Sequence, residues 1–566
     1  MLSAIFTLLN LGSFNNLNGF LKQTLLGHTV DLGHEIYGGN QLYPKVSNTV
    51  DLGYVTYRGK LDETYPNTVV YFGIPYAEPP VGNLRFRATV PLNTERVTEE
   101  VNGEVVDATE PPAFCIQGSL SGNVGGAGSE DCLNVNIYTP LGAKEGDNLP
   151  VLFNIHGGGW VEGNPTNWPF DHWIEQSPNV IIVSVYYRFG SFGFLATPEF
   201  TDPAYGDFNA GLKDQIQALK WVQSYIRKFG GDPNKVTIAG HSAGAISAEL
   251  HMITNRTEGL FSRAIAQSVV RLPFPTPEQQ QPLFDIYASL AGCNESSVAD
   301  KMTCLRDADV SALAQAQDTA PIAAIIQGKP YNLFRPVLDG VLITEHPTTK
   351  FQSGEFAHVP LIVGSASDET LTPGNLDISV GLKSFFPLLT DTDIEAFLSL
   401  YPPEDFHSEC HRFRVATGEP NVLCSGQAMG IPSSRYSDTW TYRYNTPNPR
   451  FTLVHHAAEM WMMFNGTDTG PNGTAEFTPQ TDAQKAFASE LIAYWLSFVR
   501  TGNPNTYKLP KSPVWGNYNE SDPVRMVLMQ DLKNSVDVSG SYMEGQPAPQ
   551  TARCAFAISM AEVCQN

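Results

Sequence analysis

Gly240-His241-Ser242-Ala243-Gly244 sets a serine in the spacing G-x-S-x-G. A β-branched run, Val236-Thr237-Ile238-Ala239, enters this segment, and a helical pattern leaves it from about Ala243. A strand that turns sharply into a helix leaves the central serine exposed above the sheet, and the two glycines remove Cβ atoms that neighbouring elements would strike. A second cluster, His156-Gly157-Gly158-Gly159, follows the apolar run Val151-Leu152-Phe153-Asn154-Ile155. Successive glycines let backbone N–H groups converge on one oxygen. With the N–H of Ala243 they would form an oxyanion hole, in which each donor typically lowers a barrier by about 3–4 kcal/mol. The implied chemistry is attack by a serine hydroxyl on a carbonyl carbon.

A serine hydroxyl needs a base, and the base needs an orienting acid. In this kind of site the chain order is serine, then acid, then histidine. Downstream of Pro360-Leu361-Ile362-Val363 comes Gly364-Ser365-Ala366-Ser367-Asp368-Glu369, where Asp368 and Glu369 compete for the acid's role. Further on, Val454-His455-His456-Ala457-Ala458-Glu459 offers two histidines. Adjacent residues point in different directions, so only one can face the serine, and the residues alone do not choose. His407-Ser408-Glu409-Cys410-His411 places two histidines four residues apart, but its order is not H-E-x-x-H. With Cys410 expected in a disulfide, it reads as an exposed polar turn and not as a metal site. The stretch from Gly122 to Gly128 lacks the spacing and the lysine of a phosphate cradle.

These residues need a rigid frame. The runs at 151–155, 180–185, 236–239 and 360–363 are continuous and β-branched, as suits strands covered on both faces. Val69-Val70-Tyr71-Phe72 reads as a further strand. Between them, residues from Gly211 to Lys228 place Leu212, Ile216, Leu219, Trp221-Val222 and Ile226 at helical spacing. Alternating strands and helices predict an α/β fold with a large, mainly parallel sheet. No linker divides residues 46–560, and the helical, loop-rich region from about 275 to 430 is expected to cap the sheet's edge. Residues 1–45 form an extension of uncertain role. Its apolar run, Ala4 to Leu9, lacks the basic flank and cleavage site of a clear leader. Thr29-Val30-Asp31-Leu32-Gly33 recurs as Thr49-Val50-Asp51-Leu52-Gly53, too short a match for a solenoid.

The net charge of −23 and the absence of a basic cluster with aromatics exclude nucleic-acid binding. No stretch approaches the roughly 20 apolar residues of a membrane span. Eight cysteines fall into four close pairs: Cys115 and Cys132, Cys293 and Cys304, Cys410 and Cys424, Cys554 and Cys564. Sequential pairing is the simplest expectation, because the enclosed loops hold 16, 10, 13 and 9 residues. A closed loop of about 15 residues stabilises by roughly 3 kcal/mol. Sequons at Asn255, Asn294, Asn465, Asn472 and Asn519 join the cysteines in pointing to an oxidising, extracellular compartment.

Three further segments complete a pattern: Phe72-Gly73-Ile74-Pro75-Tyr76-Ala77-Glu78-Pro79-Pro80-Val81-Gly82, Glu130-Asp131-Cys132-Leu133-Asn134-Val135-Asn136-Ile137-Tyr138, and Phe229-Gly230-Gly231-Asp232-Pro233. Over about residues 46–560 the chain resembles the type-B carboxylesterase/lipase family of cholinesterases, Candida rugosa-type lipases and sterol esterases. The resemblance implies an α/β-hydrolase fold and hydrolysis of carboxylic esters, of small-molecule or lipid type, without cofactor or metal. It selects Glu369 as the acid and His456 as the base, and it maps the oxyanion donors to Gly158, Gly159 and Ala243. It implies the disulfides Cys115–Cys132 and Cys293–Cys304, and ion pairs of Arg85 with Glu130 and Arg188 with Asp214.

The chain also departs from the pattern. The residue before the serine is usually glutamate in that family and is His241 here. The loop closed by Cys115 and Cys132 is short, rich in glycine and free of tryptophan. A choline ammonium would need an aromatic face, and a short polar loop offers little apolar surface to open at a lipid interface, so an esterase of broad range is expected over a cholinesterase or a strongly interface-activated lipase. Trp160, His241, Val269 and Val270 are candidate pocket residues. A non-catalytic adhesion protein on the same fold would lack one of the three reactive residues, and here all three are present.

Overall fold

The computed structural model describes residues 48–119, 125–371 and 376–566. The extension at 1–45, with its apolar run and the first copy of the short repeat, lies outside them. The second copy opens a short strand, Thr49–Asp51, at one end of a thirteen-stranded sheet.

Seven strands make the sheet's centre: β1 (Leu149–Ile155), β2 (Ile181–Val185), β3 (Gly231–His241), β4 (Arg263–Gln267), β5 (Leu361–Ala366), β6 (Thr439–Tyr444) and β7 (Val524–Leu528). They lie in the order β2-β1-β3-β4-β5-β6-β7, and every pair among them is parallel. Antiparallel strands extend both sides: Asn134–Pro140 beside β2, and Tyr542–Gly545 beside β7. The expected strands thus fall in the sheet, and the sheet is buried on both faces. Val151, Phe153 and Ile155 pack into one apolar cluster while Leu152 packs into the other, the period-two alternation of a strand.

Helix α1 (Ala210–Tyr225) realises the amphipathic stretch and ends in a 3₁₀ turn, Ile226–Phe229. Asp214, on its buried face, takes two hydrogen bonds from the Arg188 guanidinium and one from the Arg188 backbone N–H. That pair ties the loop after β2 to α1. The same loop supports the glycine cluster, since Tyr187 donates to the His156 carbonyl and the Gly190 N–H to the Trp160 carbonyl. Arg85 grips Glu130 through two bonds and three further carbonyls, at Leu305, Arg306 and Ala308. Both ion pairs implied by the resemblance are therefore present.

The region expected to cap the sheet is helical, but β5 interrupts it. It forms two insertions, with helices from Pro277 to Ser353 on one side of β5 and from Ile378 to Ser434 on the other. The second has an apolar cluster of its own around Ile378, Leu382, Phe386, Phe397 and Phe413.

The sequential disulfide expectation holds for Cys115–Cys132 and Cys293–Cys304 and fails for the other four cysteines. Cys424 is bonded to Cys554, while Cys410 and Cys564 are free. The reason is local structure. Helix Glu409–Gly418, a π-helical turn Glu419–Leu423 and helix Ser425–Ser434 run nearly end to end. A rise of about 1.5 Å per residue puts Cys410 and Cys424 roughly 20 Å apart along such a rod, beyond the reach of a disulfide. Packing of helix Ala548–Ser559 beside Ser425–Ser434 supplies Cys554 instead, closing a separation of 130 residues. With Cys410 unbonded, the rings of His407 and His411 stack 4.0 Å apart. The one cluster of metal-type ligands among the described residues is Cys293, Glu295 and Cys304, and its two sulfurs are already joined in a disulfide.

Cys410 is exposed, whereas Cys564 is buried and its thiol is pushed up to about 12 by burial and by Asp393. Alkylation of the native protein should label Cys410 and spare Cys564 until the chain is unfolded, and peptide mapping should recover a Cys424–Cys554 link. Recovery of a Cys410–Cys424 peptide would contradict this fold.

Candidate active site

Strand β3 ends at His241 and helix α2 (Ala243–Ile253) begins at Ala243, so Ser242 alone makes the turn. Its backbone, at φ 55° and ψ −123°, lies in a region that side chains rarely occupy. Neighbouring strands hold it there. The Ser242 N–H donates to the Gln267 carbonyl at the end of β4, and the Ile246 N–H donates back to the Ser242 carbonyl. Helix α2 must also pass close to β1. A Cβ on Gly244 would lie 2.0 Å from the Ile155 carbonyl oxygen, and one on Gly158 would lie 1.8 Å from that of Glu162.

The Ser242 hydroxyl lies 2.8 Å from His456 Nε2, and His456 Nδ1 lies 2.6 Å from Glu369 Oε2. A carboxylate only accepts, so Nδ1 carries the proton and Nε2 accepts from the serine. Glu369 is 1 % exposed, and its other oxygen accepts from the Ala366 N–H and the Ser268 hydroxyl. Asp368 turns the other way. It exchanges hydrogen bonds with the Val454 backbone and pairs with Arg414. His455 directs its ring at Phe451, 3.9 Å away. Of the two acids and two histidines, Glu369 and His456 are the pair that meets Ser242.

Burial alone would disfavour a cation on His456, but the Glu369 carboxylate outweighs it and raises the imidazole above its usual 6.5. Glu459, in the first turn of helix α3 (Ala458–Met463), is buried beside the same group. Burial first, and then the charge of Glu369, push its carboxyl up to about 7. The Tyr442 hydroxyl donates to it, and Ser268 lies between the two carboxyls. Ser268 was missed by sequence reasoning, because no local motif marks a residue brought to the site by the end of another strand, and the burial of Glu459 on α3 has no signature in its own segment.

Gly158, Gly159, Ser242, Ala243 and His456 line one cavity of roughly 600 Å³. The N–H groups of Gly158 and Gly159 donate to no protein oxygen among the described residues. Ala243 is the first residue of its helix, where an N–H has no partner within the helix. Such donors beside a hydroxyl bonded to an imidazole have the arrangement that can stabilise a tetrahedral oxyanion. Of the candidate pocket residues, His241 and Val270 line the cavity, while Trp160 and Val269 do not. Both are fully buried in the core, where the Trp160 indole N–H donates to Ser247. Trp168, Leu272, Leu333, Leu371 and Phe451 belong to the apolar wall. They come from separate loops that only the fold assembles. Arg450, Asp468 and Glu476 form a charged side to the same cavity.

A profile of the carboxylesterase family matches residues 47–382 and 410–546. The chain belongs to the carboxylesterase family. It is 31% identical over 539 residues to the acylcarnitine hydrolase of Rattus norvegicus, covering 88% of this chain and 90% of that protein. It is 32% identical over 491 residues to the para-nitrobenzyl esterase of Bacillus subtilis (strain 168), covering 84% and 94%. Among solved structures, EstA of Aspergillus niger superposes with a TM-score of 0.78 at 28% identity, covering 92% of this chain and 99% of that one. Membership of the carboxylesterase family makes the chain a carboxylic ester hydrolase with the α/β-hydrolase fold.

In this carboxylesterase the approach of α2 to β1 tolerates no side chain at Gly244. The substitution Gly244→Ala should force the turn to shift by an ångström or more and lower kcat/KM for p-nitrophenyl butyrate by about 10²-fold or more. Circular dichroism would verify that the variant is folded. A folded variant with wild-type activity would show that the turn does not depend on this contact.

Proposed function

We propose that this is a secreted serine esterase that works through an acyl-enzyme, with Ser242 as nucleophile, His456 as general base and Glu369 as the acid that orients it. The observation that carries the reading is the unbroken hydrogen-bond chain Ser242–His456–Glu369. His456 takes the Ser242 proton as the hydroxyl attacks the ester carbonyl, and Glu369 holds the ring and stabilises its cation. The N–H groups of Gly158, Gly159 and Ala243 receive the oxyanion. The alcohol departs with the proton from His456. Water, activated by the same imidazole, then releases the acid. Because the base must be neutral, activity falls as the pH drops through the raised value of His456.

A cavity of roughly 600 Å³, apolar on most of its wall, suits a moderately sized acyl chain and favours a general esterase. One observation favours a second reading, a lipase or sterol esterase acting on long, water-insoluble esters. Leu371 and Phe451, which line the cavity, are 39 % and 50 % exposed, so its wall continues onto the surface as apolar side chains. Three disulfides support secretion, and no described helix is long and apolar enough to cross a membrane. Glycosylation is proposed at Asn255, Asn294, Asn465 and Asn519, which are exposed, ahead of Asn472, which is half-buried and accepts a hydrogen bond from the Ala127 N–H.

Hydrolysis of p-nitrophenyl acetate, butyrate, octanoate and palmitate, with Ser242→Ala as control, tests both points. The substitution should lower kcat by several orders of magnitude, on the order of 10⁶-fold where such triads have been dissected. An optimum at butyrate or octanoate would favour the esterase, and one at palmitate the lipase. Undiminished activity in the variant would refute the assignment of Ser242.

A further inference from the structure

His241 immediately precedes the serine, is 4 % exposed, and has no hydrogen-bond partner for Nε2 among the described residues. Its ring lies 4.7 Å from that of His456, centroid to centroid, at an angle of 42°. It therefore covers part of the imidazole from the β3 side. The other groups around His456 are accounted for element by element. Glu369, after β5, accepts from Nδ1, and Glu459 of α3 is held by Tyr442 of β6. Asp368 pairs with Arg414, Arg450 with Glu476, and Asp468 accepts from Asn448, while His455 faces Phe451. On the β3 side the neighbour is His241, with no carboxylate beside it.

Two imidazolium ions at this separation in a buried site would repel strongly. One proton therefore decides the fate of the other. His456 has Glu369 to stabilise its cation, and His241 has no such partner. Burial, and then the charge on His456, drive His241 well below 6.5, so His456 takes the first proton and His241 stays neutral.

We propose that His241 is a positioning residue that covers one side of the His456 imidazole with a ring that remains uncharged, and so places the acid limb of activity lower than an anionic side chain there would. A carboxylate at this position would stabilise the imidazolium, raise its pKa and remove the neutral base at a higher pH. An uncharged ring supports the geometry of the base without that penalty. The inference rests on the reading of His456 as the general base.

The test is the pH dependence of kcat/KM for p-nitrophenyl butyrate in the full-length wild type, H241Q and H241E, with active sites counted by phosphonate titration. The wild type should show one acid limb. H241E should move it up by about one pH unit or more, since an opposite charge within about 4–6 Å shifts a pKa by roughly 1–3 units. H241Q, neutral like the native ring, should leave the limb close to that of the wild type. An unmoved limb in H241E, or an equal shift in H241Q, would overturn the inference while leaving the base in place. A wild-type profile without an acid limb would instead remove His456 as the base, and the inference with it.

Discussion

The site is organised around one buried carboxylate. Glu369 sits at 1 % exposure, where an ionised group without partners would be very costly. Three donors meet it: the Ala366 N–H at the end of β5, the Ser268 hydroxyl just after β4, and His456 Nδ1. Satisfying this charge fixes the imidazole in a single tautomer, which leaves Nε2 free to accept from Ser242. The ends of three adjacent parallel strands, β3, β4 and β5, thus converge on one bond chain, and the sheet's register becomes the register of the site. Glu459, a second carboxyl at the same depth, is pushed up to about 7 by burial and by the charge of Glu369.

The backbone contributes a second constraint. Ser242 occupies a strained turn, and strain of this kind persists only where the surroundings over-determine it. The close approach of α2 to β1 at Gly244 does so from below, and the Gln267 carbonyl from the side. The Arg188–Asp214 pair lies further out, yet it anchors the loop that carries Tyr187 and thereby holds the His156–Gly159 segment against the turn. The chain of support runs from a helix, through a buried ion pair and a loop, to the backbone donors.

How much of this the sequence reveals depends on the distance over which each feature is determined. The elbow at 240–244 and the glycines at 157–159 are local, since a strand running into a helix imposes its residue types within five positions. The sheet was legible for the same reason, as strands buried on both faces need continuous apolar runs such as 180–185. The choice of Glu369 over Asp368, and of His456 over His455, was not local. It came from resemblance; in the structure Glu369 and His456 join one bond chain with Ser242, whereas Asp368 exchanges hydrogen bonds with the Val454 backbone. The cysteines misled because closeness in sequence is a poor guide once both partners lie along one helical rod. Trp160 misled in a similar way, since adjacency to the glycines says nothing about which side the indole takes, and it takes the core. The pocket wall drawn from residues such as Leu333 and Phe451 has no sequence signature at all.

The central proposal is that the Ser242 hydroxyl is the nucleophile. Incubation with an alkyl p-nitrophenyl phosphonate, followed by intact-mass analysis and peptide mapping, tests it directly. The account predicts one adduct per chain, on the peptide carrying Ser242, with loss of esterase activity in proportion to labelling. Labelling at another residue, or full inhibition with Ser242 unmodified, would contradict it.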